Sequence, residues 1–148
     1  MPGLYFEDVE VGKTYVTPGR TITEADVVLF AGLSGDYNPL HTDEEFARQT
    51  PFGRRIAHGA LGVAVVTGLL NRLGLFDGTA TALLEIHTRF VKPVFIGDTV
   101  HVEVVISDKR ETRRPDQGIV VRQHRLINQR GEAVQEGTST LMVRRRPG

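Results

Sequence analysis

Between Gly59 and Leu73 the chain carries its longest apolar segment: Ala60, Leu61, Val63, Ala64, Val65, Val66, Leu69, Leu70 and Leu73. As a helix it would span about 22 Å at 1.5 Å per residue. It is apolar nearly all round, so it is expected to be buried by the fold rather than to lie half-exposed. Gly62 and Gly68 each weaken it by roughly 1 kcal/mol relative to Ala, a cost with a use if a sheet or a ligand must approach the backbone. Gly74, past Arg72, is a good stop.

What must cover that helix is strand-like. Residues 80 to 92 alternate, with Leu84, Ile86, Thr88 and Phe90 on one side and Glu85, His87 and Arg89 on the other. After a Gly97-Asp98 turn, Val100, Val102, Val104 and Ile106 repeat the pattern. Ile119 to Ile127 and Val134 to Val143 read as two further strands around Asn128-Gln129-Arg130-Gly131. Val120 and Val121 break the alternation, which calls for a bulge or burial on both faces. One long buried helix and about five antiparallel strands make an α+β unit, a curled sheet around the helix. Residues 1–148 are read as one domain, with no repeat, linker or low-complexity segment.

Upstream, residues 4 to 22 carry short extended pieces broken by Gly12, Pro18 and Gly19. Thr23 with Asp26 reads as a helix start, and Val27, Phe30, Ala31 and Ser34 recur at helical spacing up to Gly35. Next comes Gly35-Asp36-Tyr37-Asn38-Pro39-Leu40-His41-Thr42-Asp43. Pro39 pushes Asn38 out of the helical region, so the first helix must end here. Thr42 and Glu45 read as a capping box for a short helix over 43 to 49. Turn chemistry accounts for Gly35, Asp36, Asn38 and Pro39; His41 is the residue it leaves over. Asp36 and His41 thus flank a bend between two helix ends, where an acid/base pair can be positioned.

That motif, with Arg20 to Asp26 upstream and Phe52-Gly53 and Ala57-His58-Gly59 downstream, resembles the signature of the MaoC-like dehydratases, the (R)-specific enoyl-CoA hydratases. The likeness continues through Arg89-Phe90 and Pro93-Val94 to Gly97-Asp98. It implies the hot-dog fold with a helical overhang around residues 23 to 56, and a homodimer or larger homo-oligomer. An unpaired strand edge is a physical reason to expect such pairing. The implied reaction is reversible syn addition of water to a trans-2-enoyl-CoA, giving an (R)-3-hydroxyacyl-CoA. Asp36 and His41 match the catalytic pair, and Asn38 the amide that helps hold the water. Gly59 matches the oxyanion position, where unpaired N–H groups at a helix N-terminus meet the charge gathering on the thioester oxygen. The resemblance leaves His58 a loop-to-helix role. Several relatives carry a polar side chain a few residues into the helix, where this chain has Gly62-Val63-Ala64. A hot-dog thioesterase would use the same scaffold and oxyanion donor without requiring the Asp36-Asn38-His41 triple. A non-catalytic acyl-CoA-binding module would keep fold and pocket while the pair decays.

Composition narrows the partners. Eighteen basic side chains balance 18 acidic ones, so nothing favours nucleic acid or an anionic membrane. Cysteine is absent, which removes disulfides, thiol nucleophiles and cysteine-bound zinc. Asp-x-Asn-x-x-His-x-Asp lacks the glycine and distal glutamate of a calcium loop, so neither a metal nor a cofactor is expected. Residues 1–8 show no basic region followed by an apolar one, and no apolar run approaches the roughly 20 residues that span a bilayer. A soluble, cytoplasmic protein is therefore expected. Arg54, Arg55, Arg89 and Lys92 are candidates for the CoA phosphates, His87, His101 and His124 read as ordinary strand residues, and Arg144 to Arg146 as a frayed tail.

Overall fold

The computed structural model describes residues 3–148; Met1 and Pro2, from the segment read as no secretory signal, lie outside the described residues. A 3-10 turn (Phe6–Asp8) leads into β1 (Thr14–Val16) and β2 (Arg20–Thr21). The overhang follows as α1 (Glu24–Ser34), α2 (Pro39–Thr42) and α3 (Glu44–Arg48), then the long α4 (Gly59–Arg72). Four long strands complete the chain: β3 (Ala80–Phe90), β4 (Thr99–Glu111), β5 (Gln117–Ile127) and β6 (Ala133–Arg144). They pair antiparallel in the order β1-β4-β5-β6-β3, with β2 on β4, so the expected five strands become six by one two-residue addition. This is the expected hot-dog fold.

The core divides along the sheet. Leu61, Val65, Val66 and Leu69 of α4 pack on Val100, Val102, Val104 and Leu126. Phe6 and Val9 pack on Ile106, Val120, Leu141 and Val143 in a second cluster. Each such side chain, fully buried, contributes roughly 1.5–3 kcal/mol. Between the clusters runs a polar seam. His124 pairs with Val104 and Arg122 with Ile106, and cross-strand partners share a face, so both point inward. Arg122 Nε donates to Ser139 Oγ at 3.0 Å. Burial pushes the Arg122 guanidinium down to about 10. Burial, and then the Arg122 charge, pushes the His124 imidazole down to about 4. His124 is therefore a core residue and not an ordinary strand one.

Several other expectations are corrected. In this chain α4 is not covered all round: Ala60, Ala64, Thr67, Gly68 and Asn71 form an exposed stripe. The break at Val120-Val121 reflects a bulge on the opposite strand, where Ser107 is the extra residue between Ile106↔Arg122 and Asp108↔Val121. Arg144 to Arg146 are tied down. Arg144 ends β6, Arg145 binds Glu7 at 2.9 Å and Glu111 at 3.3 Å, and Arg146 pairs with Asp8.

Candidate active site

Local sequence builds the overhang. Thr23 and Asp26 cap each other's backbone N–H at the start of α1, and Gly35 closes it at φ 78°, a left-handed conformation that favours glycine. Pro39 occupies the first turn of α2, where its missing N–H costs nothing. Asn38 Oδ1 caps that turn by accepting from Leu40 N at 3.0 Å. The expected Thr42 capping box is not formed: Asp43 caps α3 through Phe46 N at 3.0 Å, while the Thr42 hydroxyl donates to the carbonyls of Tyr37 and Asn38. Arg55 then pins the overhang, bound to Glu24 at 2.6 Å and to Glu44. These carboxylates hold the Arg55 guanidinium above its ordinary range, and Arg55 holds Glu24 below its own.

Three side chains converge. Asp36, His41 and His58 each offer an atom within 4.8 Å of the others. His41 is buried, and its Nδ1 lies 2.7 Å from the Ile56 carbonyl. A carbonyl only accepts, so Nδ1 carries hydrogen and the neutral ring presents its lone pair on Nε2. Asp36 is exposed and one carboxylate oxygen accepts from Asn38 N at 3.2 Å, leaving the other oxygen for a ligand. His58 stacks on His41 with ring centroids 3.9 Å apart and donates from Nε2 to the Asp36 carbonyl at 2.9 Å. Its ring thus joins the two halves of the site, more than the loop-to-helix role expected from the sequence. Its Nδ1 is buried with no hydrogen-bond partner among the described residues.

A shared metal does not suit this geometry. The two rings are stacked at 27° with centroids 3.9 Å apart, so their lone pairs lie in nearly parallel, separated planes, and one ion cannot sit in both planes at the roughly 2 Å that a metal–imidazole bond needs.

His41, His58 and Gly59 line a cleft of about 410 Å³, with Phe52, Phe90 and Gln135 among its walls. A larger hollow of about 700 Å³ over β3 to β6 holds none of Asp36, Asn38, His41 and Gly59, and the chemistry points to the smaller one. Gly59 opens α4, where the first N–H groups have no intrahelical partner. A Cβ on Gly59 would stand 2.8 Å from the Phe90 ring, so this position is small for packing as well. Gln135 was not found from sequence; it lies 76 positions beyond the glycine whose carbonyl it binds at 3.1 Å. Of the four phosphate candidates, Arg55 and Lys92 are engaged, Lys92 with Glu132. Arg54 lies over the Phe95 ring at 4.0 Å, and neither it nor Arg89 has an ion pair among the described residues.

No helix among the described residues is long and apolar enough to cross a membrane. The model of the MaoC like domain matches residues 7–126. A 3-hydroxybutyryl-CoA dehydratase of Methylorubrum extorquens is 40% identical over 111 residues, 75% of this chain and 69% of that protein. An (R)-specific enoyl-CoA hydratase of Rhodospirillum rubrum is 34% identical over 139 residues, 94% of this chain and 91% of the other. Among solved structures, a monoamine oxidase regulatory protein from Archaeoglobus superposes with TM-score 0.93 at 34% identity, covering 99% of this chain and 98% of that one. With a fold, a motif and relatives matched over most of their length in agreement, the chain belongs to the MaoC-like dehydratase family and is a hydro-lyase.

Proposed function

We propose that the chain is an (R)-specific enoyl-CoA hydratase, adding water syn and reversibly to a trans-2-enoyl-CoA. The observation that carries this reading is the approach of Asp36 and His41 to within 4.8 Å, beside a cleft that has the Gly59 end of α4 in its wall. One water making two hydrogen bonds of ordinary length spans that separation. His41 Nε2 takes a proton from this water as its oxygen bonds to C3. The C2–C3 π electrons pass toward the thioester, and the enolate oxygen is met by the Gly59 N–H. The imidazolium returns a proton to C2 on the same face, completing the addition of one water. Asp36 accepts a hydrogen bond from the water's second hydrogen, which stays on the product hydroxyl, and steadies the imidazolium, and Asn38 supports both by holding the turn, its amide NH₂ left for the water. Arg54 and Arg89 are the remaining candidates for the CoA phosphates, and the working compartment is the cytoplasm.

The unit is proposed to be a homodimer or larger. The outer edge of β3 is unpaired among the described residues, and Leu83, Leu84, Ile86 and Phe90 along it are exposed. Sedimentation at micromolar concentration should give at least twice the monomer mass of 16.4 kDa. A strictly monomeric active protein would remove this part of the reading.

Reaction class is tested in one cuvette. Enoyl-CoA absorbance should fall without release of CoA thiol, and the product should feed an (R)-specific dehydrogenase but not an (S)-specific one. Thiol release matching alkene loss would make the protein a thioesterase. Neither signal across a broad acyl panel would make it a binding module. In heavy water, anti placement of deuterium at C2 would defeat the mechanism even if the alkene disappears.

A further inference from the structure

The geometry points to Gln135 as a positioning residue that aims the Gly59 N–H through the first turn of α4. This rests on the hydratase reading above. Gln135 is 2% exposed and lies on β6, facing inward beneath the start of the helix. Its Nε2 donates to the Gly59 carbonyl at 3.1 Å. A flipped amide would set two oxygens against each other, so the orientation is fixed. The helix is notched to receive it: a Cβ on Gly62 would fall on the Gln135 amide nitrogen. Phe90 presses Gly59 from β3, so the glycine is gripped from two strands.

Folding alone does not call for an amide at this position. Gln135 Oε1 is buried with no hydrogen-bond partner among the described residues, an uncompensated loss of hydration. A leucine or methionine of similar volume would fill the slot without that orphan. What the amide supplies is directional. By holding the Gly59 carbonyl it sets the rotation of the peptide joining Gly59 to Ala60. The pitch of the first turn follows, and with it the line along which the unpaired N–H of Gly59 meets an oxyanion. Gly62, departing from the polar residue that several relatives carry near this point, gives up its side chain to the strand opposite.

The test uses Gln135→Leu and Gln135→Met, the second flexible enough to fit if the first overpacks. Assays run at a temperature where circular dichroism shows wild type and variants fully folded. The expected result is a fall in kcat of about tenfold or more, the scale on which a displaced donor costs rate. KM should stay within about threefold, since the interaction strengthens only at the transition state. The melting temperature should hold or rise. Unchanged kcat, or a rise in KM alone, would overturn the inference and reduce Gln135 to a wall of the cleft. A second readout does not need turnover: the amide resonances of Gly59 and Ala60 should shift, and their hydrogens exchange faster, in either variant. If wild type hydrates no enoyl-CoA, the hydratase reading fails, while these resonances still decide the role of Gln135. Their invariance would overturn it.

Discussion

At His41 a single backbone carbonyl fixes which ring nitrogen carries the hydrogen. Ile56 holds Nδ1–H, so the nitrogen left with a lone pair is Nε2. Asp36→Asn and His41→Ala should each slow hydration by at least about 10²-fold, with the double variant scarcely worse, because residues acting on one water are not additive. Initial rates and a melting curve for each protein check this; full activity in either single variant removes that residue from the mechanism. His58→Phe keeps the stack on His41 but deletes the bond to the Asp36 carbonyl. It also removes the buried, unpartnered Nδ1. Activity should fall while stability changes by about 1 kcal/mol or less, since one lost hydrogen bond is offset by one lost orphan. Asp36, Asn38 and His41 were legible in the sequence because they sit within six positions of one another around a proline. Gln135 was not, because nothing local marks a strand glutamine that reaches a helix start 76 positions earlier.

Among the elements, the strands and the long helix followed from periodicity, but periodicity says which residues are apolar and not how much cover the fold provides. α4 packs chiefly against β4, which leaves the stripe from Ala60 to Asn71 open in one chain. Close approach of backbones is equally invisible to pattern. A Cβ on Gly137 of β6 would fall on the carbonyl oxygen of His87 in β3. Backbone cannot swing aside as a flexible side chain can, so Gly137→Ala should destabilise by about 2–3 kcal/mol. Urea unfolding measures that loss, and amide exchange should rise along Ala80–Phe90 before the rest of the sheet. Uniform exchange across all strands would show that the two edges are not coupled through this glycine.

For the whole molecule, the polar seam between the two core clusters makes stability depend on pH. The folded His124 imidazole sits at about 4, below its ordinary value of 6.5, so the unfolded chain takes the proton first. The contribution of neutral burial is full above 6.5 and is lost as pH falls from 6.5 toward 4. Urea midpoints at several pH values in that window should decline for wild type, and His124→Phe should flatten the slope. An unchanged slope would mean that another group titrates there. Glu7 lies in a lower window: hydrogen bonds from Arg145 and the Arg146 backbone pull it from 4.5 to about 2, so its support is lost only as pH drops between those values. The same bonds join residues near the two described ends, an arrangement that reading the arginines as a solvated tail missed because their carboxylate partners are 138 and 139 positions away.

The strand order carries a consequence for how the protein is made. β3 pairs with β6 and with no other strand among the described residues, and β6 begins at Ala133, 43 positions after β3 ends at Phe90. On a ribosome adding about 5–20 residues per second, the backbone of β3 emerges seconds before the strand that pairs with it. Gln135, which grips Gly59, arrives on that same late strand. Nascent chains halted before β6 should therefore be the species that chaperones retain. The last hairpin to form completes the sheet and seats the helix end beside Asp36 and His41 in one event.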